Sequence, residues 1–410
     1  MNSLFMKSLF FIIPLLFSIH GWSQSDGICG TSHLLNSEDG QEFYTQLNEL
    51  VQEKLAEGLG GERATIIVPL VFHIVYNTTE ENIDDSLILQ QVQILNDDFQ
   101  RMNADTSNTP AEFKSVAGAM DVQFCLATLD PSGDPTTGIL RVPTSETSFP
   151  SVSSYSIPDP VKHASSGGSD AWPTDVYMNI WICNLVGSTA YTAPPGNFVD
   201  PADDGIVCHY NHIGNSGVTP YGEGRSIVHE MGHWFGLKHI WGDDGGACTG
   251  TDFMADTPDQ ANWTGGCPVF PAVDACTATA PGIMFMNYMD YSEDGCRNLF
   301  TQDQCDYMVA VYDAIMPDYY LEDKCLDYTT IDEDQTATFK VYASDGRVSV
   351  SSGTMMNRLE IYNLQGQLIN SEESNGSWEF NSAFDKTGTY VVRVQFKDSG
   401  NWEKQLLFVP

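Results

Sequence analysis

Residues 229–239 read HEMGHWFGLKH. Three histidines, a glutamate and a glycine at these intervals leave few folds open. The longer stretch RSIVHEMGHWFGLKH reads as a helix with Val228, Met231 and Phe235 on its apolar side. His229 and His233 are four apart, so they stand one turn above each other and project to the same side. Two imidazoles so placed ligate one cation through ring nitrogens at about 2.0–2.1 Å, the geometry zinc favours. Glu230 is rotated by about 100° from the first ligand. There it reaches a water on the metal without itself being a ligand, as a general base should. Gly236 stops the helix, because glycine takes the left-handed turn at little cost. That turn swings His239 toward the same cation from a third direction.

Composition sets the setting. The chain has 410 residues, enough for two or three domains, and 42% of them are hydrophobic, enough to bury a sizeable core. Eighteen Lys and Arg face 55 Asp and Glu, a formal charge of −37. Such a field repels nucleic acid and anionic membranes and attracts metal ions or basic peptides. Residues 1–23 have the pattern of a secretory signal peptide: Lys7, an apolar run from Ser8 to Ser18, then Gly21 and Ser23 before Gln24. The run is broken by Pro14 and falls short of the ~20 residues a membrane span needs. No other stretch is apolar enough to cross a bilayer, so the mature protein is expected to be exported and to have no membrane span. Ten cysteines fit an oxidising destination, and none forms a Cys-x-x-Cys pair, so disulfides are the default.

Residues 24–62 form a short polar segment in which Phe43, Leu47, Leu50 and Val51 recur at helical spacing, with a stop at Gly58. From residue 63 the texture changes. ATIIVPLVFHIVYN is β-rich, and IDDSLILQQVQILNDDFQRMN reads as a helix capped by Asp84 or Asp85 with Ile88, Val92, Leu95 and Phe99 inward. The strands VQFCLATL and DVYMNIWICNLV follow, separated by a long Ser/Pro/Gly-rich loop, and the mixture suggests an α/β layer over residues 63–328. Residues 329–410 shift to short alternating strands, among them RLEIYNLQGQLI and GTYVVRVQF, the signature of a small all-β sandwich.

The zinc motif with its glycine and third histidine resembles that of the metzincin metalloproteases, whose further hallmark is a methionine-containing turn beneath the metal. FMNYMDYSEDGC supplies Met289 for that turn, and Tyr291 matches a tyrosine that assists transition-state stabilisation in several metzincin families. GACTGTDFMADTP, WTGGCP, DAC and NYMDYSEDGC fall in the order of the pappalysin family. That resemblance implies an α+β fold with a mixed five-stranded sheet above the cleft and an active-site helix. LVGSTAYTAPPG falls where the family has its upper-rim edge strand.

Further implications follow from the same resemblance. Asp294 matches an acidic residue at the bottom of the pocket for the substrate residue after the scissile bond, which would select Arg or Lys by charge pairing. Asp252, Asp256 and Thr257 match a calcium-binding loop. The family pattern pairs Cys248 with Cys276 and Cys267 with Cys296, although spacing alone leaves three pairings open. Cys29, in ICGT, matches a Cys-Gly that caps the catalytic zinc in the zymogen, a thiolate being a good zinc ligand. The other reading makes Cys29 a disulfide partner of Cys125, Cys183, Cys208, Cys305 or Cys325. The switch reading leaves nine cysteines, so at least one more stays free, and Cys125 in its apolar strand is the candidate. Glu62–Arg63 is the junction at which an enzyme cutting before arginine would remove its own propeptide. The last ~80 residues resemble the sorting domain of the type IX secretion system of some gram-negative bacteria, though its usual Tyr-Pro-Asn-Pro opening is replaced by VYASDG. The expectation is a secreted zinc endopeptidase made as a latent zymogen and acting on protein or peptide substrates. The competing expectation is an inactive binding or adhesion protein on the same fold.

Overall fold

The computed structural model describes residues 29–59, 65–134, 136–151, 158–193, 200–316, 324–325, 339–344, 347–363, 368–383, 388–397 and 402–409. The expected signal peptide and the Glu62–Arg63 junction lie outside the described residues. The first elements are α1 (Ser32–Leu35) and α2 (Glu38–Glu57), the latter capped by the Ser37 side chain and ending at Gly58. Tyr44, Leu47 and Val51 form its buried stripe. Leu50, expected on that stripe, is 48% exposed instead, because the buried face follows the i, i+3, i+7 row that starts at Tyr44.

The next elements are β1 (Ile66–Tyr76), α3 (Asp85–Phe99), β2 (Val122–Leu126), β3 (Ile139–Pro143), β4 (Phe149–Pro150) and β5 (Met178–Cys183). They are followed by β6 (Leu185–Val186), β7 (Ala190–Thr192), β8 (Ile206–His209), α4 (Arg225–Trp234) and α5 (Gln302–Ile315). The main sheet runs β2-β1-β5-β8-β7, with β3 also paired to β1. β2 pairs residues 66–70 of β1 and β3 pairs residues 72–76, on the side opposite β5. Six strand segments thus fill the five places that were expected. All pairs are parallel except β7 on β8. The interior of β1 is buried almost throughout, as expected of a parallel strand covered on both faces. Asp84 caps α3 by accepting from the Ser86 amide, and Ile88, Leu95 and Phe99 face the core.

Beyond residue 338 lie β9 (Phe339–Ser344), β10 (Arg347–Asn363), β11 (Leu368–Ala383), β12 (Gly388–Phe396) and β13 (Trp402–Val409). They are all-β as expected, with a core of their own that includes Val350, Leu359, Ile361, Val392 and Val394. Hydrogen bonding joins them into one antiparallel sheet, β11-β10-β12-β13 with β9 on β10, where two separate sheets had been expected. The register shifts in β10 between Ser351 and Arg358 are where one long strand changes partner from β9 to β12.

Candidate metal centre and active site

Helix α4 is buried on every side, at all ten of its residues. It starts after Gly224 in the left-handed region and is anchored at its N-terminus by Arg225. That guanidinium pairs with Asp98 at 3.2 Å and Asp105 at 2.7 Å and donates to the Asp294 carbonyl at 2.7 Å. The helix ends earlier than its sequence pattern suggests, at Trp234. Gly236, at φ +89°, donates to the His233 carbonyl at 2.8 Å and Leu237 to the Gly232 carbonyl at 3.0 Å. These are the two bonds of a Schellman stop, and they turn the chain so that His239 returns to the helix.

His233 Nε2 lies 3.1 Å from His229 Nε2 and 3.1 Å from His239 Nε2. Cys29 joins them: one ligand atom from each of the four residues lies within 4.8 Å of the others, all buried. The outer ring nitrogens are tied back. His229 Nδ1 donates to the Tyr288 carbonyl at 2.7 Å, His233 Nδ1 to the Leu237 carbonyl at 2.8 Å, and His239 Nδ1 to Asp243 Oδ1 at 2.8 Å. With each Nδ1 carrying its proton outward, three bare Nε2 lone pairs face one another. Tetrahedral zinc with ligands at about 2.0–2.3 Å spaces them roughly 3.3 Å apart, so the donor set fits that ion. Burial, and then the neighbouring imidazoles, hold His229 and His233 well below the usual histidine range. Burial, and then the charge of Glu230, push the Cys29 thiol up; zinc ligation would favour its thiolate.

Glu230 is 1% exposed, and burial raises its carboxyl to about 7. Its Oε2 accepts from the Thr31 hydroxyl at 2.9 Å. Tyr291 stands against the rings of His229, His239 and Trp241, and its hydroxyl meets the Ser32 hydroxyl at 2.6 Å. Residues 29–32 therefore touch the metal donors, the acid/base and the tyrosine together. They lie along β7, where Cys29 bridges Ala190 in parallel and Gly30 donates to the Ala190 carbonyl at 2.9 Å.

Met289 sits directly beneath α4. A Cβ on Gly232 would lie 2.6 Å from its sulfur, so the glycine between the two helix histidines is the space the Met-turn needs. The turn is held by Asn287, which accepts from the Met289 amide at 2.8 Å and exchanges amide bonds with Gln304 of the α5 capping box. Asp290, fully buried, accepts from Gln260, the Thr264 amide and the Tyr291 amide.

The remaining expected residues are placed as follows. Cys248–Cys276 and Cys267–Cys296 are bonded. Cys125, expected to stay free, is bonded to Cys325, because residues 324–325 return beside β2, where Thr128 donates to the Lys324 carbonyl at 2.8 Å. Cys183, Cys208 and Cys305 are free and buried, as is Cys29. Asp252 accepts from Thr257 at 2.7 Å, whereas Asp256 turns to the N-terminus of α5 and accepts from the Asp303 amide at 3.0 Å. Asp294 is fully buried and ion-paired with Arg297, a partner that sequence reasoning missed. Asp243, Thr31, Ser32 and Gly232 were missed as well.

The fold and the site define a metalloprotease. The family described as Pregnancy-associated plasma protein-A, Peptidase_M43, matches residues 164–313. Mature mirolysin from Tannerella forsythia, solved with a cleaved peptide, is 47% identical over 63% of this chain and 96% of its own, with a TM-score of 0.60. A promirolysin mutant from the same organism is 42% identical over 71% of this chain and 96% of its own, with a TM-score of 0.65. An extracellular metalloprotease from Sordaria macrospora is 40% identical over 141 residues, of which the chain spans 48% of the relative's length. One from Arthroderma benhamiae is 27% identical over 79% of its length. The chain belongs to the pappalysin-like, Peptidase_M43 family of metalloendopeptidases. Among the described residues no helix is long and apolar enough to cross a membrane.

Proposed function

We propose that the chain is a secreted zinc endopeptidase made as a latent precursor. The observation that carries this is the trio of buried Nε2 atoms, His233 at 3.1 Å from each of the other two, with every outer nitrogen tied back, because a cation between them is what their facing lone pairs would bind. His229, His233 and His239 would hold zinc, which supplies a Lewis acid for the peptide carbonyl and makes water a nucleophile near neutral pH. Glu230 takes the proton of the attacking water and passes it to the leaving amine. Tyr291 steadies the oxygen that gains charge, and Met289 supports the histidines from below. In the precursor Cys29 would fill the fourth position, while Thr31 donates to Glu230 and the Ser32 hydroxyl meets that of Tyr291. Removal of residues 24–62 would free all three.

Asp252, Asp256 and Thr257 are a candidate calcium site, supported by the buried, unpartnered Oδ1 of Asp256 and the raised carboxyl of Asp252, which a cation would keep ionised. Loss of one bound calcium on Asp252→Asn, read by equilibrium dialysis, tests it. Residues 329–410 act as a type IX sorting domain, and a chain lacking them is expected to stay in the periplasm of a gram-negative host. Selection of Arg or Lys after the cut bond is the specificity the family resemblance implies, with Asp294, which is paired with Arg297, as its acidic residue; digestion of a peptide library with identification of the cut bonds tests it. The competing class is a binding or adhesion protein without activity, against which the intact, buried Glu230 speaks. Zinc-loaded protein freed of residues 24–62 should cut peptides at least 100-fold faster than Glu230→Ala. Equal rates would end the peptidase reading.

A further inference from the structure

His229 and His233 take their direction from α4, but His239 lies beyond the Gly236 stop, in a stretch with neither helix nor strand. Its ring is fixed in another way. Residues 239–242 form a tight turn closed by the Gly242 amide, which donates to the His239 carbonyl at 3.0 Å. Gly242 is left-handed, at φ +66°, and a Cβ there would lie 2.6 Å from the Gly250 carbonyl carbon, so any other residue would strain the turn. The turn folds Trp241 back over His239. Their rings are nearly parallel, at 9°, with centroids 4.1 Å apart. Tyr291 crosses both nearly at right angles, 4.8 Å from the Trp241 ring and 5.0 Å from the His239 ring. Trp241 is 6% exposed and the other two rings less, so the three pack as one buried unit with little room to rotate.

We propose that Trp241 is a positioning residue of the metal centre. Its indole face sets the plane of the His239 imidazole, and its side holds Tyr291 against that imidazole. The third zinc donor and the tyrosine then keep one relative placement. The bond from His239 Nδ1 to Asp243 secures the ring at a single atom and leaves it free to tilt about that contact; a stacked face removes the tilt. Such a pair contributes beyond the area it buries. The inference rests on the zinc endopeptidase reading.

The test reads metal first and turnover second. Zinc affinity of the full chain is measured by chelator competition in wild type, Trp241→Phe and Trp241→Leu. Leucine fills space without offering a ring face and should weaken zinc about 10-fold, whereas phenylalanine restores a face and should lose less than about 3-fold. Cobalt in place of zinc should show altered visible bands in Trp241→Leu and wild-type bands in Trp241→Phe, a signature that packing lost away from the metal would not move. In protein matured by limited proteolysis, Trp241→Leu and Tyr291→Phe together should lower kcat by less than the product of their separate effects. A Trp241→Leu affinity within about 3-fold of wild type, a Trp241→Phe loss as large as that of Trp241→Leu, or effects on kcat that multiply overturns the proposal. Should Trp241→Leu fail to fold, fluorine NMR of wild type labelled with 5-fluorotryptophan decides instead. The line missing from Trp241→Phe should move on zinc loading, and a line that stays in place overturns the proposal. A wild type that binds no zinc ends the zinc reading and the proposal with it; one that binds zinc while the variants match it ends only the role of Trp241.

Discussion

Gly232→Ala is a substitution whose sign separates two effects. In the interior of an ordinary helix, alanine is favoured over glycine by roughly 0.5–1 kcal/mol. Here the new Cβ would lie 2.6 Å from Met289 Sδ and 3.4 Å from a ring carbon of Phe300. Met289 and Phe300 are themselves buried, at 0% and 1% exposure, so neither can swing into solvent. A normal carbon–sulfur contact needs about 1 Å more, and overpacking of this kind costs about 1–3 kcal/mol. The clash outweighs the propensity gain, and Gly232→Ala should lose about 1–2 kcal/mol net. The helix must shift where it carries His229 and His233. A displacement near 1 Å at a catalytic centre costs about 100-fold in rate, so activity should fall further than stability. Urea unfolding of the zinc-loaded protein measures the first effect and peptide hydrolysis the second. Met289→Ala in the same chain should recover part of the stability, a coupling that distant sites would not show. A Gly232→Ala protein that is more stable than wild type and fully active would refute the assigned contact between Met-turn and helix.

Other outcomes follow from the same geometry. Asp243 is the only carboxylate bonded to a metal-facing histidine among the described residues, so Asp243→Asn should weaken zinc about 10- to 100-fold in a chelator competition. Thr31→Val removes the hydroxyl from Glu230 and should raise the residual activity of the precursor roughly 10-fold, the worth of one hydrogen bond to a charged group. Burial pushes Asp204 from its usual 3.8 up to about 6, although Trp234 donates to it at 3.0 Å. The folded state therefore binds that proton more tightly than the unfolded chain does. The resulting stability is present below about pH 4 and lost as pH rises to about 6, at most about 3 kcal/mol for a two-unit shift. Asp204→Asn should lack that decline in a pH series of urea titrations, and parallel curves would count against it.

What the sequence made legible was local. The zinc histidines, Glu230 and Gly236 lie within eleven residues, where helix periodicity and a glycine stop fix directions without knowledge of the fold. β1, β2 and β5 are readable from β-rich runs and β7 from the resemblance, but β3 and β8 are not, and β2 and β3 sharing one side of β1 depends on a loop path that no periodicity encodes. Asp243 follows His239 by four residues outside any helix, so spacing gave no reason to single it out. Gly232 carries no side-chain chemistry for spacing to single out, and its role shows only in the approach of Met289 to it. Arg297 was passed over because a buried cation has no pattern of its own, and only its ion pair reveals it. Cys125 with Cys325 spans 200 residues, a separation at which sequence offers no geometric constraint. Cys29 lies as far from its partners, and only the family resemblance pointed to it.

The central claim is a zinc centre masked by Cys29 in the precursor. X-ray absorption at the zinc edge reads its ligands directly. The precursor should show three nitrogen ligands at about 2.0–2.1 Å and one sulfur at about 2.3 Å, and the sulfur should vanish in Cys29→Ala and after maturation, with activity appearing as it goes. A precursor whose zinc has no sulfur ligand, or a matured protein that keeps one, would contradict it.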